Sequence, residues 1–139
     1  MASEREYNQR IIDEFRANEG RVGGHFEGRR LLLLHSVGAK TGAERVNPLM
    51  YQAVGGGYAV FGTNDGASRH PGWYHNLLAH PTATIEVGTT TIDVTAREAD
   101  EEERASIWSR QMQSATAFAE YEGMTSRRIP VVILEPLRS

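Results

Sequence analysis

Apolar residues recur along this chain with two different spacings. Over residues 4–17, Tyr7, Ile11, Ile12 and Phe15 return at three- and four-residue steps, which lines one face of a helix. Ser3 stands as its N-cap. An amphipathic helix is expected, packed on the domain rather than on a membrane, because its polar face mixes both charges. Residues 20–28 read as a loop. From Leu31 four leucines run on through Ser36 and Val37 to Gly38, which suits a strand buried on both faces. Residues 46–53 read as a second strand, Gly55, Gly56 and Gly57 as a turn, and residues 58–62 as a third strand, giving an antiparallel meander.

Beyond it, residues 63–70 are polar and rich in turn formers, and Pro71 suits the first turn of a helix over residues 72–79. Pro81 ends that helix. Residues 82–87 and 90–98 read as two strands joined at Gly88. Asp100 and Glu103 form a helix-capping pattern ahead of a helix whose Trp108, Met112, Ala115 and Ala119 share a face. Residues 129–135 close the chain as a strand. The expected fold is mainly β (α+β), a split antiparallel β-barrel of about six strands with flanking helices. Residues 1–28 form an N-terminal helix and loop, and residues 29–139 the barrel. A parallel nucleotide-binding sheet is disfavoured, since no helix separates the first three strands.

Composition narrows the chemistry. The 139 residues suit one domain, and a net charge of −3 argues against a nucleic-acid surface. Cysteine is absent, so disulfides, thiolate metal sites and a cysteine nucleophile are excluded, and a reducing, cytoplasmic setting is expected. No apolar stretch reaches the roughly 20 residues of a membrane span.

Two segments concentrate reactive residue types. The first, GAKTGAER at 38–45, sets two glycines, Lys40, Thr41 and Arg45 between two strands. Glycine lets backbone N–H groups turn inward as an anion nest, and the side chains add a hydroxyl and two cations. A plain tight hairpin is the competing reading. A phosphate loop of the ATP-binding type fails, because Ala39 precedes Lys40 and no helix follows. The second, HPGWYHNL at 70–77, follows Arg69, which with the helix start favours an anion. Trp73 or Tyr74 would wall a planar ring, or Trp73 is simply core. His70, His75 and His80 are five apart and cannot converge from one helix, which disfavours a metal site. No nucleophile elbow of a hydrolase is present. The acidic residues from Glu98 to Glu103 read as a helix N-terminus.

GAKTG at 38–42, Arg45, PLMY at 48–51, HPGWYHNL at 70–77 and RIPV at 128–131, in this order and spacing, together resemble the deazaflavin-dependent nitroreductase family. The resemblance spans roughly residues 31–135. It implies a split barrel like that of flavin-dependent pyridoxamine-phosphate oxidases, and coenzyme F420, typical of actinobacteria, as cofactor. FMN is the alternative. It further implies hydride transfer to a planar acceptor such as a quinone, nitroaromatic or enone, where the protein orients the reactants. A non-catalytic carrier of a deazaflavin, flavin or tetrapyrrole is the reading from another class.

Carried over by position, Lys40, Thr41, Gly42 and Arg45 would hold the anionic tail, and Pro48, Met50 and Tyr51 would lie along the ring. Thr63 and Asn64 would flank it. Ala67, Arg69, Gly72 and Trp73 would complete the pocket, with Arg69 near the tail. The family often has a second cation where Ala39 stands and a lysine where Asn64 stands, so Lys40, Thr41, Arg45 and Arg69 share the grip. Tyr121 is the expected substrate-side donor, against simple packing. The expected partner is a small quinone-like molecule, with the protein a monomer or homodimer and peripheral membrane contact disfavoured.

Overall fold

The computed structural model describes residues 4–23, 30–63, 69–114, 123 and 127–137. In chain order these form α1 (Glu4–Ala17), β1 (Leu31–Val37), β2 (Glu44–Val54), β3 (Gly57–Phe61), α2 (Gly72–Ala79), β4 (Thr82–Val87), β5 (Thr90–Glu98), α3 (Glu101–Ser114) and β6 (Val131–Pro136). The six strands close into an antiparallel barrel in the order β1-β2-β3-β6-β5-β4. The expected meander and the β4–β5 hairpin are both present.

Several boundaries differ from the sequence reading, β3 among them, which runs Gly57–Phe61 rather than over residues 58–62. β2 begins at Glu44, two residues early, because its pairing with β1 runs until Val37 faces Glu44. β6 begins at Val131 rather than Ile129, where pairing with Phe61 starts. Pro71 is the N-cap of α2, with extended backbone, one position before the first turn.

β1 carries the leucine run because both of its faces are covered. Leu32 and Leu34 point into the barrel with Val60, Ile85, Val94, Val132 and Leu134. Leu31 and Leu33 point out and pack against Ile11, Ile12 and Phe15 of α1. The outer face of β3 and β6, including Ala59, Phe61 and Ile133, is covered by Ile107 and Trp108 of α3. The capping pattern of α3 is realised: the Glu103 N–H donates to Asp100 Oδ1 at 2.8 Å, and the Asp100 N–H donates to Glu103 Oε1 at 3.1 Å.

Strand direction then decides where the loops go. β1, β3 and β5 run one way and β2, β4 and β6 the other. One barrel end therefore collects the 38–43 loop, residues 62–63 and 69–71, α2, and residues 127–130. α2 seats Trp73, Tyr74 and Leu77 in the barrel cluster and so closes that end.

Candidate cofactor and active site

The 38–43 loop is held by its own backbone and by α2. The Gly38 N–H donates to Ala43 O at 2.7 Å and the Gly42 N–H to Gly38 O at 2.9 Å. Gly42 has a φ of +72°, a conformation that favours glycine. A Cβ on Gly38 would lie 2.8 Å from Thr41 Oγ1 and 3.2 Å from Ala43 O, so a larger residue there would displace the Thr41 hydroxyl. The Ala43 N–H donates to Thr41 Oγ1 at 3.2 Å, which leaves the threonine hydroxyl proton to point elsewhere.

A helix staple reaches this loop from below. The buried Asn76 accepts from the Ala39 N–H at 3.0 Å and donates to Ser36 Oγ at 3.1 Å. After these bonds, the N–H groups of Lys40 and Thr41 and the side chains of Lys40 and Arg45 engage no partner among the described residues. Lys40 and Arg45 are exposed. These donors and the Thr41 hydroxyl all fall within residues 40–45, with no carboxylate bonded to them among the described residues, which suits a phosphate or carboxylate ligand.

The strand leading away from the loop has two different faces. Val46 and Met50 face outward onto the α1 cluster, and Met50 also touches the α3 cluster. Pro48 shares that outward face by alternation. Tyr51 faces the opposite way, against the barrel cluster, with its ring edge-on to Tyr58 at 5.4 Å. Pro48 and Met50 are thus brought together, whereas Tyr51 is parted from them by the pleat. Burial raises the Tyr51 phenol above its ordinary pKa.

The other motif residues gather at the same barrel end. Trp73 is only 5% exposed, so its indole belongs to the core. Gly72 opens α2 with free space where a Cβ would stand. Arg69 lies just before it, with interactions of its own. Thr63 is held by Arg127, whose guanidinium donates to Gly62 O at 3.0 Å and Thr63 O at 2.9 Å. The same guanidinium donates to His70 Nδ1 at 3.0 Å. Asn64, Ala67 and Tyr121 lie outside the described residues, as do Ser3, Ala115 and Ala119.

Four contributors escaped the sequence reading. RIPV drew attention to Arg128, yet Arg128 is exposed and pairs with Glu101, while its neighbour Arg127 pins the loop. Glu98 ends β5, as the strand reading of residues 90–98 expects, and its hydrogen bond from Tyr74 is what spacing did not show. Asn76 and Ser36 form the staple under the loop. A polar residue amid the apolar positions of α2 was the available signal for Asn76, since a buried amide requires partners. His70 and His75 come within 6.0 Å, ring centre to ring centre.

A closed antiparallel barrel of six strands with a helix seated across one end is the split-barrel class of fold. Residues 8–136 match the F420H(2)-dependent quinone reductase family, and the chain belongs to that family. It is 38% identical over 124 residues to F420H(2)-dependent quinone reductase Rv1261c of Mycobacterium tuberculosis, covering 86% of this chain and 83% of the relative. A solved F420-H2 dependent reductase (FDR-A) is 38% identical with a TM-score of 0.70, over 81% of this chain and all of that one. A domain-swapped dimer is 35% identical with a TM-score of 0.71, over 94% and 96% of the two chains.

Proposed function

We propose that this protein uses reduced F420 to reduce a planar, quinone-like acceptor, with the cofactor's anionic tail on the 38–45 loop. The observation that carries the reading is the set of donors within residues 40–45 that engage no partner among the described residues: two backbone N–H groups, the Thr41 hydroxyl, Lys40 and Arg45, following the end of β1. That set matches a ligand bearing a phosphodiester and carboxylates. When bound, the cofactor supplies a hydride, an electron pair with its hydrogen.

The chain's own residues bind, orient and exclude water. Lys40, Thr41, Gly42, Arg45 and Arg69 hold the tail. Pro48 and Met50 offer an apolar floor between α1 and α3 for the ring, and Thr63, Asn64, Ala67 and Gly72 border it. Tyr51 and Trp73 support this floor from the barrel side rather than touching the ring. Tyr121 serves on the acceptor side. The same reading places the enzyme in the cytoplasm, and the domain-swapped neighbour favours a homodimer, which light scattering on the eluting protein checks. No helix among the described residues is long and apolar enough to cross a membrane.

Titrating F420 and FMN against the fluorescence of Trp73 and Trp108, then adding acceptors to the F420H2-loaded protein, tests the proposal. Saturable F420 binding and quinone-dependent oxidation are expected. Lys40→Ala should weaken F420 binding about tenfold, roughly 1.4 kcal/mol, with less effect on turnover of the bound complex. Preference for FMN, or binding with no turnover for any acceptor, overturns the proposal.

A further inference from the structure

His70 stands in an arrangement that fixes its chemistry. Arginine has N–H donors and no acceptor, so the 3.0 Å contact from Arg127 to His70 Nδ1 requires that nitrogen to be the acceptor. The ring proton is then on Nε2. The ring is held on a second side by Tyr74, 4.7 Å away between centroids, and Tyr74 is tied to Glu98. Among the described residues, Nε2 has no hydrogen-bond partner. His70 is thus a half-buried imidazole with one donor, pointing at none of the protein groups described.

Its position is equally constrained. Arg127 bonds His70 and the carbonyl oxygens of Gly62 and Thr63 at once, and the Gly62 N–H is bonded to Pro130 O at 2.9 Å. One guanidinium therefore ties His70 to the Gly62–Thr63 backbone. With Tyr74, Glu98, Ala99, Arg104 and Pro130, His70 also lines a cavity of about 180 Å³. That is smaller than the roughly 300 Å³ at which ordinary ligand pockets begin, so it suits the ring system of a small quinone rather than a whole cofactor.

We infer that His70 is the hydrogen-bond donor to the acceptor's carbonyl oxygen, and that Arg127 is the positioning residue that fixes its ring. This rests on the proposed quinone reduction. Hydride addition to a quinone carries the electron pair into the ring and leaves one oxygen as a phenolate, which a solvent proton then completes to the hydroquinone. The Nε2–H stabilises that oxygen as charge develops and keeps its own proton. Burial, then Arg127 and His75, lower the His70 pKa against a smaller opposing pull from Glu98, so the ring stays neutral at working pH and the hydrogen-bond pattern holds.

The probe is 2-methyl-1,4-naphthoquinone. Histidine nitrogen NMR on the wild-type protein, with His70 assigned among five histidines by its loss in His70→Gln, should show Nε2 protonated and Nδ1 bare at pH 7. Adding the quinone without cofactor should shift that Nε2 signal. In turnover with F420H2, His70→Phe should lower kcat at least tenfold while KM for F420H2 holds, and His70→Gln, which keeps a donor near Nε2, should recover part of the loss. Arg127→Met should populate the other tautomer. A proton on Nδ1, no quinone-induced shift, or full turnover by His70→Phe overturns the inference. Should the wild type fail to oxidise F420H2 with any acceptor, the proposed function falls instead, and the NMR titration alone still decides the role of His70. The titration is read on the wild-type protein, with His70→Gln serving only to assign the signal.

Discussion

The Tyr74 hydroxyl donates to the carboxylate of Glu98 from a ring only 8% exposed, so one side chain joins the core of the barrel to the rim of the site. Burial first, and the Glu98 bond second, push its pKa up to about 12. The protonated phenol is the form favoured by folding. Its stabilisation is therefore complete below pH 10 and is lost as pH climbs from 10 towards 12. Tyr74→Phe should cost about 1.5 kcal/mol at neutral pH, the low end for a bond to a charged group, because Glu98 is exposed. Thermal melts should show the gap between wild type and variant narrowing across that alkaline window. At this scale the sequence was informative about residue type and poor about direction. PLMY at 48–51 reads as one strip of contacts, yet the pleat turns Tyr51 inward and Pro48 and Met50 outward. Arg127 and Arg128 are adjacent and chemically alike, and only the path of the chain makes the first a clamp and the second a surface ion pair.

At the scale of elements, α2 and α1 each depend on one small contact. Asn76 is where α2 meets the loop, and Asn76→Ala leaves the Ala39 N–H and Ser36 hydroxyl without their amide partner. A loss of about 1–3 kcal/mol in unfolding free energy is expected, together with weaker F420 binding in the titration, since the loop's free donors lose their support. Gly20 is where the turn after α1 meets the β4–β5 turn. Its φ is +97°, and a Cβ there would lie 2.8 Å from the Gly88 Cα. Gly20→Ala should destabilise by about 2 kcal/mol, combining backbone strain with a backbone clash, as denaturant unfolding would measure. All three helices were legible in outline, because helical spacing, prolines and the Asp100–Glu103 cap act within a few residues. Their contacts were not. The pairing of Arg16 with Glu86 at 2.7 Å and of Glu86 with His35 at 2.5 Å joins residues up to 70 positions apart, which local spacing cannot report.

Over the whole molecule, α1 is part of the barrel's covering rather than an appendage. Ile11, Ile12 and Phe15 share a buried cluster with Leu31 and Leu33, and Phe15 is 1% exposed. Phe15→Ala should cost about 3–5 kcal/mol. Far-ultraviolet circular dichroism, reporting α1 with the rest, and tryptophan fluorescence should trace one coincident transition in the wild type, as a single cooperative unit requires. Separate transitions would mark residues 1–28 as an independent piece. By itself the sequence determined the strand and helix types, the hairpin order at both ends of the barrel, the basic glycine loop and the absence of thiol chemistry. Each of these is a short-range property, set by residue spacing or composition. Tertiary structure alone decided that β6 enters between β3 and β5 and that β4 closes on β1, since such pairings join strands distant along the chain. That closure fixes which strand ends meet, and so it alone brings the 38–43 loop, Thr63, His70 and Arg127 to one end of the barrel.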